Sequence, residues 1–343
     1  MDGVFAVGGV RQDCEYAGGR WDLLTYLLTL SINGQSSEGM KKKVVGLGEV
    51  LWDLLPERTC LGGAPANFAY ITTLLGDQGM VASRVGEDAR GMEALRRLED
   101  LGLDIRHVQW DRERATGTVK VDLDAKGIAQ FEIAHPVAWD FLEWTADWGD
   151  LAEQADAVCF GSLAQRSDVS RATVREFVRA APAGAVKIFD VNLRQSYYSH
   201  EILAESMRLA DIVKLNDEEL PTIMSLFKFP HQDELAAARW LIGAYDLKLV
   251  CITRGGRGSL LVRSGSEASE HPGFRVRVAD TVGAGDAFTA GLVHEYLRGA
   301  EMGRTNLDEM NEVANRVGAW VASEAGAMPV PKRGLERVLG EIG

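Results

Sequence analysis

The sequence predicts an α/β sandwich: helices around a mainly parallel central sheet, with a small β-lid. Short apolar runs alternate with segments of helical periodicity along most of the chain, the pattern of parallel strands joined by crossover helices. Residues 116–139 break this alternation with two strand-like stretches and no helix between them. A glycine-rich turn at residues 283–286 precedes a helical segment. In open parallel sheets ligands bind near such turns, at the carboxyl ends of the strands.

Each predicted element follows from a local pattern in the chain. The strands, all short apolar runs, are Val44–Leu47, Gly79–Ser83, Ala157–Phe160, Val186–Asp190, Ile212–Leu215 and Leu249–Thr253. The helices, with apolar residues at helical spacing, are Ala66–Leu75, Gly91–Leu101, Arg171–Ala180, Glu201–Arg208, Asp233–Ile242, Asp286–Leu297 and Leu307–Ser323. Residues 116–139 predict a hairpin with its turn near 124–127, and the alternation in Phe274–Val278 predicts a further strand.

Composition excludes several classes of partner. The 343 residues, 46% of them hydrophobic, suffice for a sizeable core of a soluble globular protein. A net charge of −13 without a basic patch argues against nucleic acid. No apolar run reaches the roughly 20 residues that span a bilayer, so we expect no membrane partner. The four cysteines lack metal or disulfide spacing, which predicts reduced thiols and a cytoplasmic location.

The first 39 residues differ in character from the rest of the chain. The apolar stretch "LLTYLLTLSI" follows Arg20 and Asp22 and has no clear small-residue cleavage site after it, which argues against a signal peptide. At Met40 the pattern changes to "MKKKVVGLGEV", a basic cap followed by a buried strand. We therefore predict a non-functional extension at residues 1–39 and one domain at residues 40–343, with the lid at about 116–139.

The turn Gly283-Ala284-Gly285-Asp286 is the first candidate site. A helix N-terminus offers unpaired N–H groups and partial positive charge, and glycines let a phosphate approach the backbone. An acid in the first turn is either a helix-capping residue or a base beside the bound phosphate. In the second case it takes a proton from an attacking hydroxyl. The turn alone leaves both interpretations open.

A second candidate site lies near the start of the domain. Asp53 follows the first predicted strand, and Gly62-Gly63 precedes the helix that carries Asn67. A carboxylate there can accept hydrogen bonds from two hydroxyls of a polyol, and an amide can both donate and accept. The diglycine allows close approach of a ligand. For Asp53 alone, a turn with a capping Asp explains the pattern equally well.

The two sites together resemble the two signatures of the ribokinase-like carbohydrate kinases, the PfkB family. "GGAPAN" matches the first signature and "DTVGAGDAFTAGL" the second, with "VGEDARG", "DVNLR", "KLNDEE" and "TRGGRGSLL" between them in the family's order. The resemblance covers about residues 44–331. It implies a ribokinase-like three-layer sandwich and transfer of the γ-phosphoryl group of ATP to a sugar hydroxyl, with Mg²⁺. A monovalent cation such as K⁺ is a further candidate cofactor.

The resemblance also implies roles for individual residues. Asp286 corresponds to the family's catalytic base, and the amides of Gly283, Ala284 and Gly285 to the anion hole for the γ-phosphoryl group. The implied sugar-binding residues are Asp53, Gly62, Gly63, Asn67 and Arg194. The implied ATP-binding residues are Lys214, Asn216, Thr253, Gly255, Gly258 and Asn315. Asn216 and Glu219 match the element near Mg²⁺, with contact through water as one arrangement.

Among family members the sequence looks most like fructokinases, because the first lid segment between Asp53 and Gly62 is short. It departs from them after the second lid strand, where they carry an Arg and an Ala-Asp pair and this chain reads "HPVAW". Ribokinase, 2-keto-3-deoxygluconate kinase and nucleoside kinase remain alternatives. A non-catalytic sugar sensor is the alternative of another class. A homodimer through the lid is a candidate assembly, since an isolated two-stranded hairpin is marginal in water.

Overall fold

Thirteen strands are present in the part of the chain that the computed structural model describes, residues 41–123, 129–230, 233–265, 267–331, 335–340 and 342. They are β1 (Lys43–Leu47), β2 (Leu51–Leu54), β3 (Thr59–Gly62), β4 (Gln78–Gly86), β5 (Val108–Asp111), β6 (Gly117–Leu123), β7 (Ala129–Ile133), β8 (Ala157–Gly161), β9 (Val186–Asp190), β10 (Ile212–Asn216), β11 (Leu249–Thr253), β12 (Ser259–Arg263) and β13 (Ala268–His271). The predicted extension and the predicted lid turn at 124–127 lie outside these residues.

Nine of these strands form the main sheet, in the order β5-β4-β1-β8-β9-β10-β11-β12-β13. Pairing is parallel from β5 to β11 and antiparallel from β11 to β13. The strand order changes direction at β1, since β4 and β5 lie on one side and β8 to β11 on the other. This arrangement leaves a crevice outside the carboxyl ends of β1 and β8, the place where open α/β sheets bind ligands.

Helices cover both faces of the main sheet. In chain order they are α1 (Ala64–Leu74), α2 (Ala89–Asp100), α3 (Ala146–Glu153), α4 (Asp168–Ala180), α5 (His200–Leu209), α6 (Glu219–Leu226), α7 (Glu234–Tyr245), α8 (Ala284–Glu301), α9 (Leu307–Ser323) and α10 (Leu335–Gly340). Val44 belongs to one hydrophobic cluster and its neighbour Val45 to another. Because successive side chains of a strand point to opposite faces, these clusters are the two interfaces of a three-layer sandwich. This confirms the predicted fold class.

The lid is a four-stranded sheet in the order β3-β2-β6-β7. The predicted hairpin is present as β6 and β7, but β2 and β3 were not predicted as lid strands. Asp53 follows the first strand, as expected, but it lies within a second strand, β2, where it pairs with Cys60 of β3. The alternative of a turn with a capping Asp was therefore wrong. The lid contains segments distant in sequence, because β2 pairs in parallel with β6.

The prediction of a strand at Phe274–Val278 was wrong. The segment has no regular secondary structure, and Arg275, Arg277 and Val278 are exposed. Alternation of apolar and basic residues favours an extended chain, but no strand among the described residues pairs with this segment. Strands β5, β12 and β13 and the short helices α3, α6 and α10 were not predicted from the sequence either. None of the helices in the described residues is long and apolar enough to cross a membrane.

Close packing between β4 and α1 depends on a glycine. A Cβ atom on Gly79 would lie 2.0 Å from the carbonyl oxygen of Ala69 and 2.4 Å from Oγ1 of Thr73. We expect Gly79→Ala to lower the free energy of unfolding by about 1–3 kcal/mol, because the helix must move away from the sheet. Chemical denaturation measures the change.

Gly243→Ala provides the matched control. Gly243 lies in α7, and a Cβ there would have no heavy atom within 4 Å. Alanine is preferred over glycine inside a helix by about 1 kcal/mol, so this variant should be as stable as the parent or more stable. Equal stability of the two variants would contradict the packing argument.

Candidate active site

Helix α8 begins directly after the glycine-rich turn. Gly283 has a φ of 79°, and a Cβ there would lie 2.4 Å from Cβ of Ala327, so glycine is required for both conformation and space. Asp286 lies in the first turn of α8. Its Oδ2 accepts a hydrogen bond from Nδ2 of Asn67 at 2.8 Å. The carboxylate is therefore held by another helix and is not bound to the backbone of its own first turn.

The environment of Asp286 makes its carboxylate more basic than usual. Burial, helped by the negative charge of Asp190, raises the pKa of Asp286 to about 6. The hydrogen bond from Asn67 and the positive charges of Lys214 and Arg194 oppose this rise. The group is mostly ionised at neutral pH and accepts a proton more readily than an exposed aspartate.

Two of the predicted sugar-binding residues, Asp53 and Arg194, are related to Asp286 through the charge of Arg194. Asp53 projects from β2, and a Cβ on Gly62 would lie 2.9 Å from its Oδ2. Burial raises the pKa of Asp53 to about 6. The exposed Arg194 lowers the pKa of both Asp53 and Asp286, which places its guanidinium near these two acids.

Gly63 and the side-chain amide of Asn67 also belong to this end of the site. Gly63 has a φ of 111°, and a Cβ there would lie 2.3 Å from the carbonyl oxygen of Glu49. The Oδ1 atom of Asn67 is buried and accepts no hydrogen bond from the described residues. It is thus a free acceptor next to Asp286. Asn67 contacts Asp286 directly, and Arg194 lies near both Asp286 and Asp53. The binding roles of these residues and of the two glycines stay predictions.

Sequence reasoning missed Glu49, which lies between β1 and β2 with only 3% of its surface exposed. Burial raises its pKa to about 7, and the charge of Asp286 adds to this rise; its own backbone amide, Arg194 and Arg166 oppose it. The signal in the sequence was the acid that directly follows the strand-glycine run "VVGLG". The same run resembles a dinucleotide-binding turn but lacks the third glycine of that motif.

A buried ion pair lies beneath the glycine-rich turn. Nζ of Lys214 is 3.0 and 3.1 Å from the two carboxylate oxygens of Asp190, and Oγ1 of Thr289 in α8 donates to Asp190 at 3.0 Å. A Cβ on Gly285 would lie 3.0 Å from this Nζ. The Lys214 side chain therefore packs against the turn at Gly285. Its assignment to ATP binding stays a prediction.

Asn216 and Glu219 hold two loops together at the ends of β9 and β10. Oδ1 of Asn216 accepts from the backbone of Glu218 at 3.0 Å and of Glu219 at 2.8 Å. The Glu219 carboxylate accepts from the backbone of Leu193 at 2.7 Å and of Asn216 at 2.8 Å. These oxygens retain lone pairs for a water or an ion.

The donor set fits Mg²⁺ bound mainly by phosphates and water, as is usual for this ion. Within the described part of the chain, no group of three or more His, Cys, Asp or Glu residues is arranged to hold a metal by itself. A site that uses Asn216 and Glu219 through water agrees with this finding.

The predicted nucleotide loop follows β11. Thr253 ends the strand, and Gly255 and Gly258 have φ values of 56° and 80°. A Cβ on Gly258 would lie 1.9 Å from the carbonyl oxygen of His271, so this tight turn requires glycine. Asn315 of α9 is 7% exposed, and its Nδ2 donates to Oγ of Ser259 at 2.7 Å. It joins α9 to β12, and its contact with adenine stays a prediction.

Comparison with known proteins agrees with this geometry. The model of the pfkB family carbohydrate kinases matches residues 58–333. A fructokinase from Escherichia coli is 32% identical over 304 residues, which cover 84% of this chain and 96% of the relative.

Two solved structures show the same fold with ligands. Fructokinase from Vibrio cholerae, with fructose, ADP and a calcium ion bound, gives a TM-score of 0.69 at 27% identity, covering 84% of this chain and 95% of its own. Aminoimidazole riboside kinase from Salmonella enterica, complexed with aminoimidazole riboside and an ATP analogue, gives 0.70 at 26% identity, covering 87% and 100%. The chain therefore belongs to the PfkB family of carbohydrate kinases and is an ATP-binding sugar kinase, a phosphotransferase with an alcohol group as acceptor.

Proposed function

We propose that this kinase transfers the γ-phosphoryl group of ATP to a primary hydroxyl of a small sugar, with fructose as the first candidate. The observation that carries the proposal is the position of the Asp286 carboxylate. It lies at the N-terminus of α8, beside a glycine-rich turn, and Asn67 holds it instead of its own helix. A base and an anion-binding turn are thus adjacent, as phosphoryl transfer to a hydroxyl requires.

In this proposal Asp286 takes the proton of the attacking hydroxyl. The amides of Gly283, Ala284 and Gly285 stabilise charge on the transferring phosphoryl group. One well-aimed donor of this kind is worth about 3–4 kcal/mol in oxyanion holes. Positioning of hydroxyl and phosphate in line supplies much of the remaining rate acceleration. The positive end of the α8 dipole favours the same negative charge.

The sugar is bound by Asp53 and by the free Oδ1 of Asn67, both of which accept hydrogen bonds from hydroxyl groups. Arg194 lies near these acids and interacts with a sugar oxygen or a phosphate. ATP is bound by the residues at the ends of β10 and β11. Asn216 and Glu219 would hold Mg²⁺, which when bound would neutralise charge on the ATP phosphates. A monovalent cation, a lid-mediated homodimer and a cytoplasmic location remain part of the proposal.

A nucleoside kinase is the second candidate, because an aminoimidazole riboside kinase is among the similar structures. The departure from fructokinases at "HPVAW" lies near the lid. There the His135 and Tyr197 rings are stacked with centroids 6.4 Å apart, and the Arg166 guanidinium lies 4.7 Å from the Tyr197 ring. An aromatic and cationic wall of this kind contacts either a sugar or a planar base.

The test of the substrate is a kinetic comparison of purified protein with MgATP and fructose, ribose, 2-keto-3-deoxygluconate, adenosine or aminoimidazole riboside. A buried polar site discriminates strongly against a ligand that leaves its hydrogen-bonding groups unpaired. We expect clearly separated kcat/KM values, with fructose highest. A higher kcat/KM for adenosine or aminoimidazole riboside would show that the protein is a nucleoside kinase and not a fructokinase. ATP binding without phosphorylation of any acceptor would favour the non-catalytic sensor.

Asp286→Asn should lower kcat by roughly 100- to 10,000-fold. The change removes the base and leaves the pocket in place, so calorimetry should show sugar and ATP affinities close to those of the parent. Glu301→Gln, at the opposite end of α8 and exposed, is the control and should retain full turnover. A near-normal kcat for Asp286→Asn would refute its role as the base.

Asp53→Ala should weaken sugar binding by roughly 10- to 100-fold, because a hydrogen bond to a charged group contributes about 1.5–3 kcal/mol. ATP affinity should change little. The control is Glu57→Ala, because Glu57 is exposed in the turn between β2 and β3. This variant should bind sugar normally. Calorimetric titration with each ligand measures both affinities. Loss of ATP binding with unchanged sugar binding would mean that the two ends of the site are reversed.

A further inference from the structure

Glu49 is a buried acid that the proposed reaction does not yet use. Its Oε2 atom is shielded from solvent and has no hydrogen-bond partner within the described residues. Such a group costs free energy unless a proton, a water or a ligand compensates it. Its position in the crevice between β1 and β8 places it where the sheet binds ligands.

Glu49 and Asp286 line the same cavity. This space of about 10 Å³ is also bordered by Pro65, Phe68 and Phe160. A cavity needs roughly 10–15 Å³ to hold one water molecule, so there is room for one water at most. Pro65, Phe68 and Phe160 make part of the wall around this water apolar.

We propose that Glu49 is the proton acceptor behind Asp286, and that the two carboxyl groups exchange a proton through one water molecule in this cavity. The proposal rests on the proposed function, in which Asp286 is the base. Glu49 does not touch the substrate. It acts through Asp286, from which it receives the proton, and is therefore a positioning residue.

The proton path balances without a further reactant. The acceptor O–H bond breaks, and its oxygen forms the new bond to the γ-phosphorus as the bond from that phosphorus to ADP breaks. The proton goes to Asp286. Asp286 then passes it to the cavity water, and this water gives one of its own protons to Glu49. Asp286 is thereby ionised again while the product is still bound, and Glu49 loses the proton to solvent when the site opens.

The surrounding charges allow this exchange. Two carboxyl groups with pKa values of about 7 and about 6 bind and release protons over the same pH range. The charged groups that face them are Arg166, Asp190, Arg194 and Lys214. The Cys159 thiol also borders the cavity, but burial raises its pKa well above the usual range, so it stays neutral.

The first test needs no sugar. Protein labelled with ¹³C at the Glu δ-carbon gives the pKa of Glu49 by NMR titration, and Glu49→Asp identifies the signal because it removes that label while keeping a carboxyl group. Asp286→Asn removes the neighbouring charge, and the pKa of Glu49 should fall by about one unit or more. Asp53→Asn, which removes an acid that does not line the cavity, should leave it unchanged. An unchanged pKa in Asp286→Asn would overturn the proposal.

The second test is kinetic, with MgATP and fructose or the acceptor that the substrate comparison selects. In the parent, kcat/KM should fall below about pH 6, as Asp286 becomes protonated. Glu49→Gln removes a negative charge next to Asp286, so this midpoint should move to lower pH, and kcat should fall about tenfold. The KM for ATP should stay constant. The control Glu295→Gln, a buried acid elsewhere in α8, should leave the pH profile unchanged.

If Glu49→Gln does not fold, the NMR titration of the parent and of Asp286→Asn still tests the proposal. An unchanged pH profile in a folded Glu49→Gln would overturn the relay. The proposed function is tested separately. It requires Asp286→Asn to lose activity, and full activity in that variant would refute it.

Discussion

The buried pair of Lys214 and Asp190 fixes helix α8 on the sheet, and the site depends on it. Asp190 ends β9, Lys214 lies in β10, and Thr289 of α8 donates to the same carboxylate. Removal of one partner from such a pair leaves an uncompensated buried charge, at a typical cost of 3–5 kcal/mol. The pair also places a positive charge under Gly285, close to where the turn would bind phosphate. One interaction thereby joins two strands, a helix and the anion-binding turn.

Three acids near Arg194 are more basic than usual because they are buried. Asp53, Glu49 and Asp286 all have raised pKa values because burial disfavours their charged forms. Arg194 opposes this effect at all three positions. The exposed arginine therefore favours the ionised form of each acid without closing the pocket. A ligand that displaces water from Arg194 also changes the basicity of Asp286.

Local patterns predicted the elements that local physics determines. The bounds of β9, β11 and α9 agree with the predictions, because short apolar runs and helical periodicity are properties of the segment itself. The pairing of β2 with β6 joins residues 66 positions apart, Leu51 and Gly117. The sequence therefore predicted the hairpin but not its pairing with the lid segment between Asp53 and Gly62. The prediction of a strand at Phe274–Val278 failed because the alternation of residues cannot reveal whether a partner strand exists. Asp286, Asn67 and Asp53 were found through motifs, whereas Glu49 becomes significant only when the fold places it beside Asp286.

The backbone link between β1 and β2 has a mechanical consequence. Residues 48–50 are all that separates a strand of the rigid sheet from a strand of the lid. Gly48 is anchored to the sheet by a hydrogen bond from its amide to the carbonyl oxygen of Ala82 at 3.0 Å. A movement of the lid would therefore change the backbone at Glu49 or Val50. The orientation of the Glu49 carboxyl group would change with it, so lid position and the direction of this side chain are coupled through three residues.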